Sequence, residues 1–264
     1  MRLIYIFVAL ILNGNNGYNA DIDAPTAING RYMAAPLQAI ALEVFGPSLE
    51  EEAEDPRAID PSRPIIAFTF DDGPNDYYTE RILDILEYHN VRATFCVLGK
   101  LIEDNRSTLI RMYELGHEII GHSWSHPNFS RISADEIASQ ILRTTNVIDE
   151  VTGSNSPLLF RPPFGMVTDT VKQVAKEHGY AMINWSIDPR DWYFRDPNYI
   201  YAVIRDNLSN GSIILLHDTL PTTIEAVALT LPRLLDDGYQ FVTVSELLLH
   251  INGEITPGTL YRGF

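Results

Sequence analysis

Two adjacent carboxylates, Asp71 and Asp72, stand directly after the apolar run IIAFTF (65–70). Acids placed against a buried strand must be solvated, paired or metal-bound, because an isolated buried carboxylate is costly. Further along, His122 and His126 lie four residues apart in HSWSHP (122–127), a spacing that lets two imidazoles reach one ion. Pro127 opposes a long helix through this segment and favours a tight loop or a first turn. Asp72, His122 and His126 together make a two-histidine, one-carboxylate set with coordination positions left for water and substrate. Zinc leads for hydrolysis, since it needs no redox change and lowers the pKa of bound water; cobalt, nickel or iron would fit the same ligands. The bland alternative for TFDDGP (69–74) is a turn with an aspartate helix cap.

Other polar residues follow apolar runs in the same way. Arg161 follows LLF (158–160), Asp188 and Asp191 follow AMINWS (181–186), and His217 with Asp218 follows SIILL (212–216). The remaining histidines read as structural or exposed: His89 and His178 near helix C-termini, His117 at a strand start and His250 in the last helix. Cys96, inside ATFCVL (93–98), reads as a small buried hydrophobe.

These runs are strands, and each is followed by a segment of helical period. Further strands are expected at HEIIG (117–121) and FVTV (241–244). Helices are expected with Ile82, Ile85, Leu86 and His89 on one side, and over 107–115, 134–151, 169–178, 198–208, 223–236 and 245–251. Strand runs without polar alternation imply strands covered on both faces. Repeated strand–helix units imply a parallel sheet, open or closed, and seven of them fit a (β/α) barrel whose closure need not be complete. In such a barrel the carboxyl ends of the strands converge on one face, so residues far apart in sequence meet in one cleft.

The chain has 264 residues, enough for a sizeable core, and its 35 acidic and 19 basic residues give a net charge of −16. That balance excludes a general nucleic-acid binder and disfavours docking on anionic membranes. A single cysteine excludes an intrachain disulfide framework or a multi-cysteine metal site. The apolar run from Leu3 to Leu12, preceded by Arg2, is too short for a membrane span and reads as the core of a signal peptide over 1–20. Export follows from that reading, although Tyr18 stands where a cleavage site prefers a small residue. Residues 21–61 carry an acidic run (Glu50, Glu51, Glu52, Glu54, Asp55) and read as an irregular extension or linker. The expected catalytic domain covers 62–252, with a tail over 253–264.

The chain resembles the polysaccharide deacetylases with the NodB homology domain, carbohydrate esterase family four. Five motifs carry the resemblance in order: TFDDGP (69–74), HSWSHP (122–127), RPPFG (161–165), DPRDW (188–192) and ILLHD (214–218). It implies an α/β fold, a distorted and incompletely closed (β/α)7 barrel of NodB type, and metal-dependent removal of acetyl groups from amino sugars. By position, Asp71 would be the base that activates water, and Asp72, His122 and His126 would hold the metal. Arg161 would pair with Asp71, and His217 would be the acid that protonates the leaving amine, oriented by Asp191. The Phe164 backbone N–H would help to stabilise the tetrahedral oxyanion. Trp192 and Leu215 would line the sugar groove and the acetyl pocket. Phe164 stands where many relatives have tyrosine, and Cys96 where they often have phenylalanine.

The expected substrate is an N-acetylated glycan of peptidoglycan or chitin type, and no nucleic-acid partner is expected. Three other readings stay open: an O-acetyl xylan esterase on the same site, a cyclic-amide hydrolase, and an inactive glycan-binding barrel.

Overall fold

A computed structural model describes residues 58–263. The expected signal peptide and nearly all of the acidic extension lie outside the described residues. Eight strands appear in chain order: β1 Ile65–Asp71, β2 Thr94–Val97, β3 Glu118–Gly121, β4 Leu159–Phe160, β5 Ala181–Ile183, β6 Ile213–His217, β7 Gln240–Phe241 and β8 Leu260–Tyr261. The helices are α1 Tyr78–Tyr88, α2 Arg106–Glu114, α3 Ala134–Thr152, α4 Asp169–Glu177, α5 Asp191–Phe194, α6 Pro197–Asn207, α7 Pro221–Asp236 and α8 Val244–Asn252. All strand pairs are parallel, in the order β6-β1-β2-β3-β4-β5-β8. No described helix is long and apolar enough to cross a membrane.

Strand alternation explains why the runs look uniformly apolar. On β1, Ile65 and Ala67 join an inner cluster with Cys96, Ile120, Leu159, Ile183 and Ile213. Ile66, Phe68 and Phe70 face the other way, into a larger cluster that includes Ile82, Leu86, Ile204, Val227 and Leu231 from α1, α6 and α7. Both faces are covered, so neither needs polar residues. Continuing the inward parity upward places Thr69 and Asp71 of β1, His122 after β3, Arg161 after β4 and His217 of β6 at the same end of the barrel.

Six of the seven expected strand runs and all seven expected helices form, whereas FVTV (241–244) is strand only at Phe241, because Thr243 caps α8 and Val244 opens it; closure also differs from a simple seven-unit barrel. β6 pairs directly with β1, while β7 pairs only with Ile65 and Ile66. β5 stops at Ile183 rather than running to Ser186. Beyond it, Ile187 makes a single parallel bridge to Ile214, with Leu215 N donating to Ile187 O at 2.9 Å. Below that bridge β8, drawn from what reads as a tail, pairs with β5. A Cβ on Gly263 would come within 2.8–3.0 Å of Ser186, Gly211 and Ile213, so the chain end packs into the gap between β5 and β6.

Phe70 is fully buried and its ring stacks on Phe95 at 5.2 Å, directly beneath Asp71 in sequence. Phe70→Ala should cost roughly 3–5 kcal/mol, read as a lower urea midpoint at unchanged slope.

Candidate active site

The three expected metal ligands converge. Asp72 Oδ1 lies 3.7 Å from His122 Nε2 and 3.6 Å from His126 Nε2, and the ligand atoms of the three residues all fall within 4.8 Å of one another. That carboxylate oxygen is buried and has no hydrogen-bond partner, which is costly unless a cation sits against it. His122 Nδ1 donates to the Arg161 carbonyl at 2.7 Å, which leaves Nε2 as the free lone pair facing Asp72. Burial, with the neighbouring His122 next, holds the His126 imidazole below its ordinary value and thus in the neutral form a ligand requires. The donor set fits a divalent cation.

The histidines sit in a loop, not on a helix, and its backbone is held from outside. Ser123 and His126 both have positive φ, at 74° and 63°. Ser123 Oγ accepts the His126 N–H at 2.9 Å. Gln140, in the middle of α3, accepts the backbone N–H groups of Trp124 and Ser125 through one oxygen, both at 2.9 Å. Nothing in the sequence marks Gln140, which looks like any polar residue on a helix face.

Behind the ligands are two polar pairs. Arg161 is fully buried, and its Nη1 donates to Asp71 Oδ1 at 2.6 Å and to Thr69 Oγ1 at 2.8 Å. Its Nη2 donates to the Asn184 carbonyl at 3.2 Å. Burial opposes ionisation of Asp71, but the Arg161 guanidinium, the first of its neighbours in effect, outweighs it and holds the carboxyl below its ordinary value. On the other side, Asp191 accepts four hydrogen bonds at 2.7–2.9 Å, from His217 N and Nδ1, Thr223 Oγ1 and Trp192 N. Burial pushes the His217 imidazole down, but the Asp191 bond and charge, with Asp71 and Asp72 behind, push it up to about 9.

A cleft of about 520 Å³ opens over these groups. Of the expected site residues, Asp71, Asp72, His122, His126, Phe164, Trp192, Leu215 and His217 line it. Arg161 and Asp191 do not; both are fully buried behind the residues they bond. The Phe164 ring packs on His126 at 4.5 Å, and its backbone sits at φ 59°. Asp188 also lines the cleft, its Oδ1 accepting Arg190 N at 2.8 Å. Sequence reading missed Trp185, Arg195, Thr219 and Leu220, which complete the wall. Asp218 also lies at this end of the barrel, beyond His217. It is fully buried, accepts the Thr79 hydroxyl at 2.6 Å, and fills the space that a Cβ on Gly73 would occupy. Burial raises it to about 7.

Two measurements check these supports. Gln140→Ala should weaken metal binding roughly tenfold in a chelator competition while the protein stays folded, as loss of an outer-shell support does. In metal-free protein, NMR should find His217 titrating near 9, and Asp191→Asn should bring it down by at least about one unit toward a free imidazole.

Residues 58–183 match the family model for polysaccharide deacetylase. The chain is 38% identical over 236 residues to a peptidoglycan-N-acetylglucosamine deacetylase of Listeria monocytogenes, covering 87% of this chain and 49% of that protein. It thus spans about half the length of that relative. A peptidoglycan-N-acetylglucosamine deacetylase of Bacillus cereus is 40% identical over 189 residues, covering 70% of this chain and 88% of the relative. A family 4 acetyl xylan esterase from Clostridium thermocellum, solved with a cobalt ion, superposes with a TM-score of 0.70 at 32% identity, covering 75% of this chain and 98% of the other. With its five motifs in order on the strand ends of a curled parallel sheet, this chain belongs to the polysaccharide deacetylase family, the NodB-homology group of carbohydrate esterase family four.

Proposed function

We propose that the protein is a metal-dependent hydrolase that removes N-acetyl groups from N-acetylglucosamine residues of a polysaccharide or oligosaccharide, with peptidoglycan-type glycans ahead of chitin. The observation that carries this reading is the opposite bias of two proton-handling groups on adjacent strands. Asp71 is held below its ordinary value and His217 is raised to about 9, and the two are register partners across β1 and β6. Amide hydrolysis needs both, since water must lose a proton and a poor leaving nitrogen must gain one. The names of the Listeria and Bacillus relatives support the substrate class.

Asp72, His122 and His126 would hold the ion, most simply zinc, with cobalt, nickel or iron as substitutes. When bound, it supplies Lewis acidity at the carbonyl oxygen and lowers the pKa of water. Asp71, kept ionised by Arg161, takes the proton from the attacking water. The Phe164 N–H donates to the oxyanion of the tetrahedral intermediate. His217, protonated at neutral pH and fixed through Nδ1 by Asp191, passes its Nε2 proton to the departing nitrogen. Leu215 offers an apolar wall to the acetyl methyl group, and Trp192 offers a face to the sugar. We place the enzyme outside the cytoplasm, on the signal-like run Leu3–Leu12, with 21–61 as a linker and a catalytic domain over 62–252 that β8 of the tail completes.

The test is acetate release from N-acetylglucosamine oligomers. Chelation should abolish it, metal should restore it, and Asp71→Asn should lower kcat by about 10²–10⁴-fold. Activity that survives both chelation and Asp71→Asn overturns the mechanism. Release from acetylated xylan with none from the oligomers moves the activity to the esterase that the Clostridium likeness suggests.

A further inference from the structure

The residues lining the cleft include three carboxylates, Asp71, Asp72 and Asp188, and only one lysine or arginine, Arg195. Arg195 is exposed, and among the described residues no ion pair or hydrogen bond engages its guanidinium. In a chain with 35 acidic and 19 basic residues, a cation lining this cleft without a carboxylate on it is not the default arrangement.

Its backbone is also unusual. Arg190 and Arg195 bracket α5 and are both left-handed, with φ/ψ of 54°/47° and 50°/39°. Such a conformation costs a non-glycine residue of order 1–2 kcal/mol, and glycine or asparagine would adopt it more cheaply. The turn geometry therefore does not explain an arginine at 195. The strain is held because α5 is anchored through Asp191 to His217 and Thr223. That anchor also fixes Arg195 at a set offset from the proposed acid. Between them, Trp192 exposes 50% of its surface and lines the same cleft as the cation, with Tyr193 set edge-on to it.

An exposed aromatic face and an unpaired guanidinium lining one cleft match a pyranose ring that carries an anion. With one cation and three carboxylates lining the same cleft, a monoanionic carboxylate is repelled less than a dianionic phosphate. We propose that Arg195 forms a carboxylate-recognising subsite, which selects a glycan bearing an acidic substituent on the sugar next to the one being deacetylated. The proposal rests on the glycan reading above and names its substrate class more narrowly. The carboxylate has two sources in such glycans: a lactyl ether on the ring itself, or a peptide attached through that ether.

The test is a set of dissociation constants rather than turnover, measured by calorimetry on full-length metal-loaded protein. Four tetrasaccharides are compared: an N-acetylglucosamine/N-acetylmuramic acid repeat with free lactyl carboxyls, the same with lactyl methylamides, the same carrying a peptide with a free α-carboxyl, and chitotetraose. The wild-type protein should bind at least one carboxylate-bearing ligand roughly tenfold more tightly than the methylamide. That ratio should fall to about one in Arg195→Gln, recover in part in Arg195→Lys, and shrink with added salt. Preference for the free lactyl form assigns the ring carboxylate, and preference for the peptide form assigns the stem. Equal binding of charged and neutral ligands by the wild type overturns the proposal, as does a ratio unmoved by Arg195→Gln. A ratio that depends on Arg195 in a protein that releases no acetate upholds the subsite and overturns the deacetylase reading. Acetate release with a ratio of one does the reverse, and binding of none of the four overturns both.

Discussion

A guanidinium taken from water into a protein interior costs several kcal/mol unless its hydrogen bonds and charge are matched there. Arg161 is completely buried at the end of β4, and matching it organises the upper half of the barrel. It requires an ionised acid at Asp71, a hydroxyl at Thr69 in an otherwise apolar inward row, and a free carbonyl at Asn184. The last requirement bears on the sheet, since Asn184 also donates to Gly165 O at 3.1 Å and β5 has already ended at Ile183. The chain then crosses to β6 at Ile187, so the barrel closes by a single bridge and leaves a gap that β8 partly fills. The carbonyl of the same Arg161 fixes the His122 tautomer. Removing either charge of the Arg161–Asp71 pair would leave the other unmatched, a loss of roughly 3–5 kcal/mol.

Parallel pairing does the remaining placement. Asp71 and His217 are neighbours because β1 and β6 are in register at their last residues, and each has a different partner behind it. Arginine behind a carboxylate favours the anion, and a carboxylate behind an imidazole favours the cation. Two adjacent strand ends thus hold groups whose proton affinities are pushed apart, with both partners buried where solvent screens them little.

The strands and long helices are legible in the sequence because buried parallel strands and amphipathic helices leave runs and periods of many residues. Asp71, Asp72, His122, His126, Arg161, Asp191 and His217 are legible because each follows such a run and because the motifs recur in a known order. What escapes is what acts through space without a run. β8 and α5 are two and four residues long and carry no period. Thr69 hides inside IIAFTF, since one hydroxyl in an apolar run reads as a strand former. Gln140 holds the histidine loop from the next helix, 15 and 16 residues further along the chain. Arg195 looks like surface charge until α5 places it at the cleft.

Backbone strain shows where the site makes demands that regular structure does not meet. Among the described residues seven non-glycine residues have positive φ, and of these Asn90, in the turn after α1, lies away from the barrel's functional end. Asp72, Ser123, His126, Phe164, Arg190 and Arg195 are the others, each in a loop after an inward-facing strand end or bracketing α5. Asp72 shows the reason. In a continuing strand it would point opposite to Asp71, out of the barrel. With φ at 78° the chain reverses at once, and two consecutive carboxylates face one cleft. Each such residue costs of order 1–3 kcal/mol. The apolar layers below hold it in place, with Ile65, Ala67, Ile120, Ile183 and Ile213 inside the sheet and Phe68, Phe70 and Phe95 outside it, all buried at 1% exposure or less. The site is therefore a strained polar rim on a rigid apolar base. A shift in the base would reach the ligands directly, because only one residue separates Phe70 from Asp72.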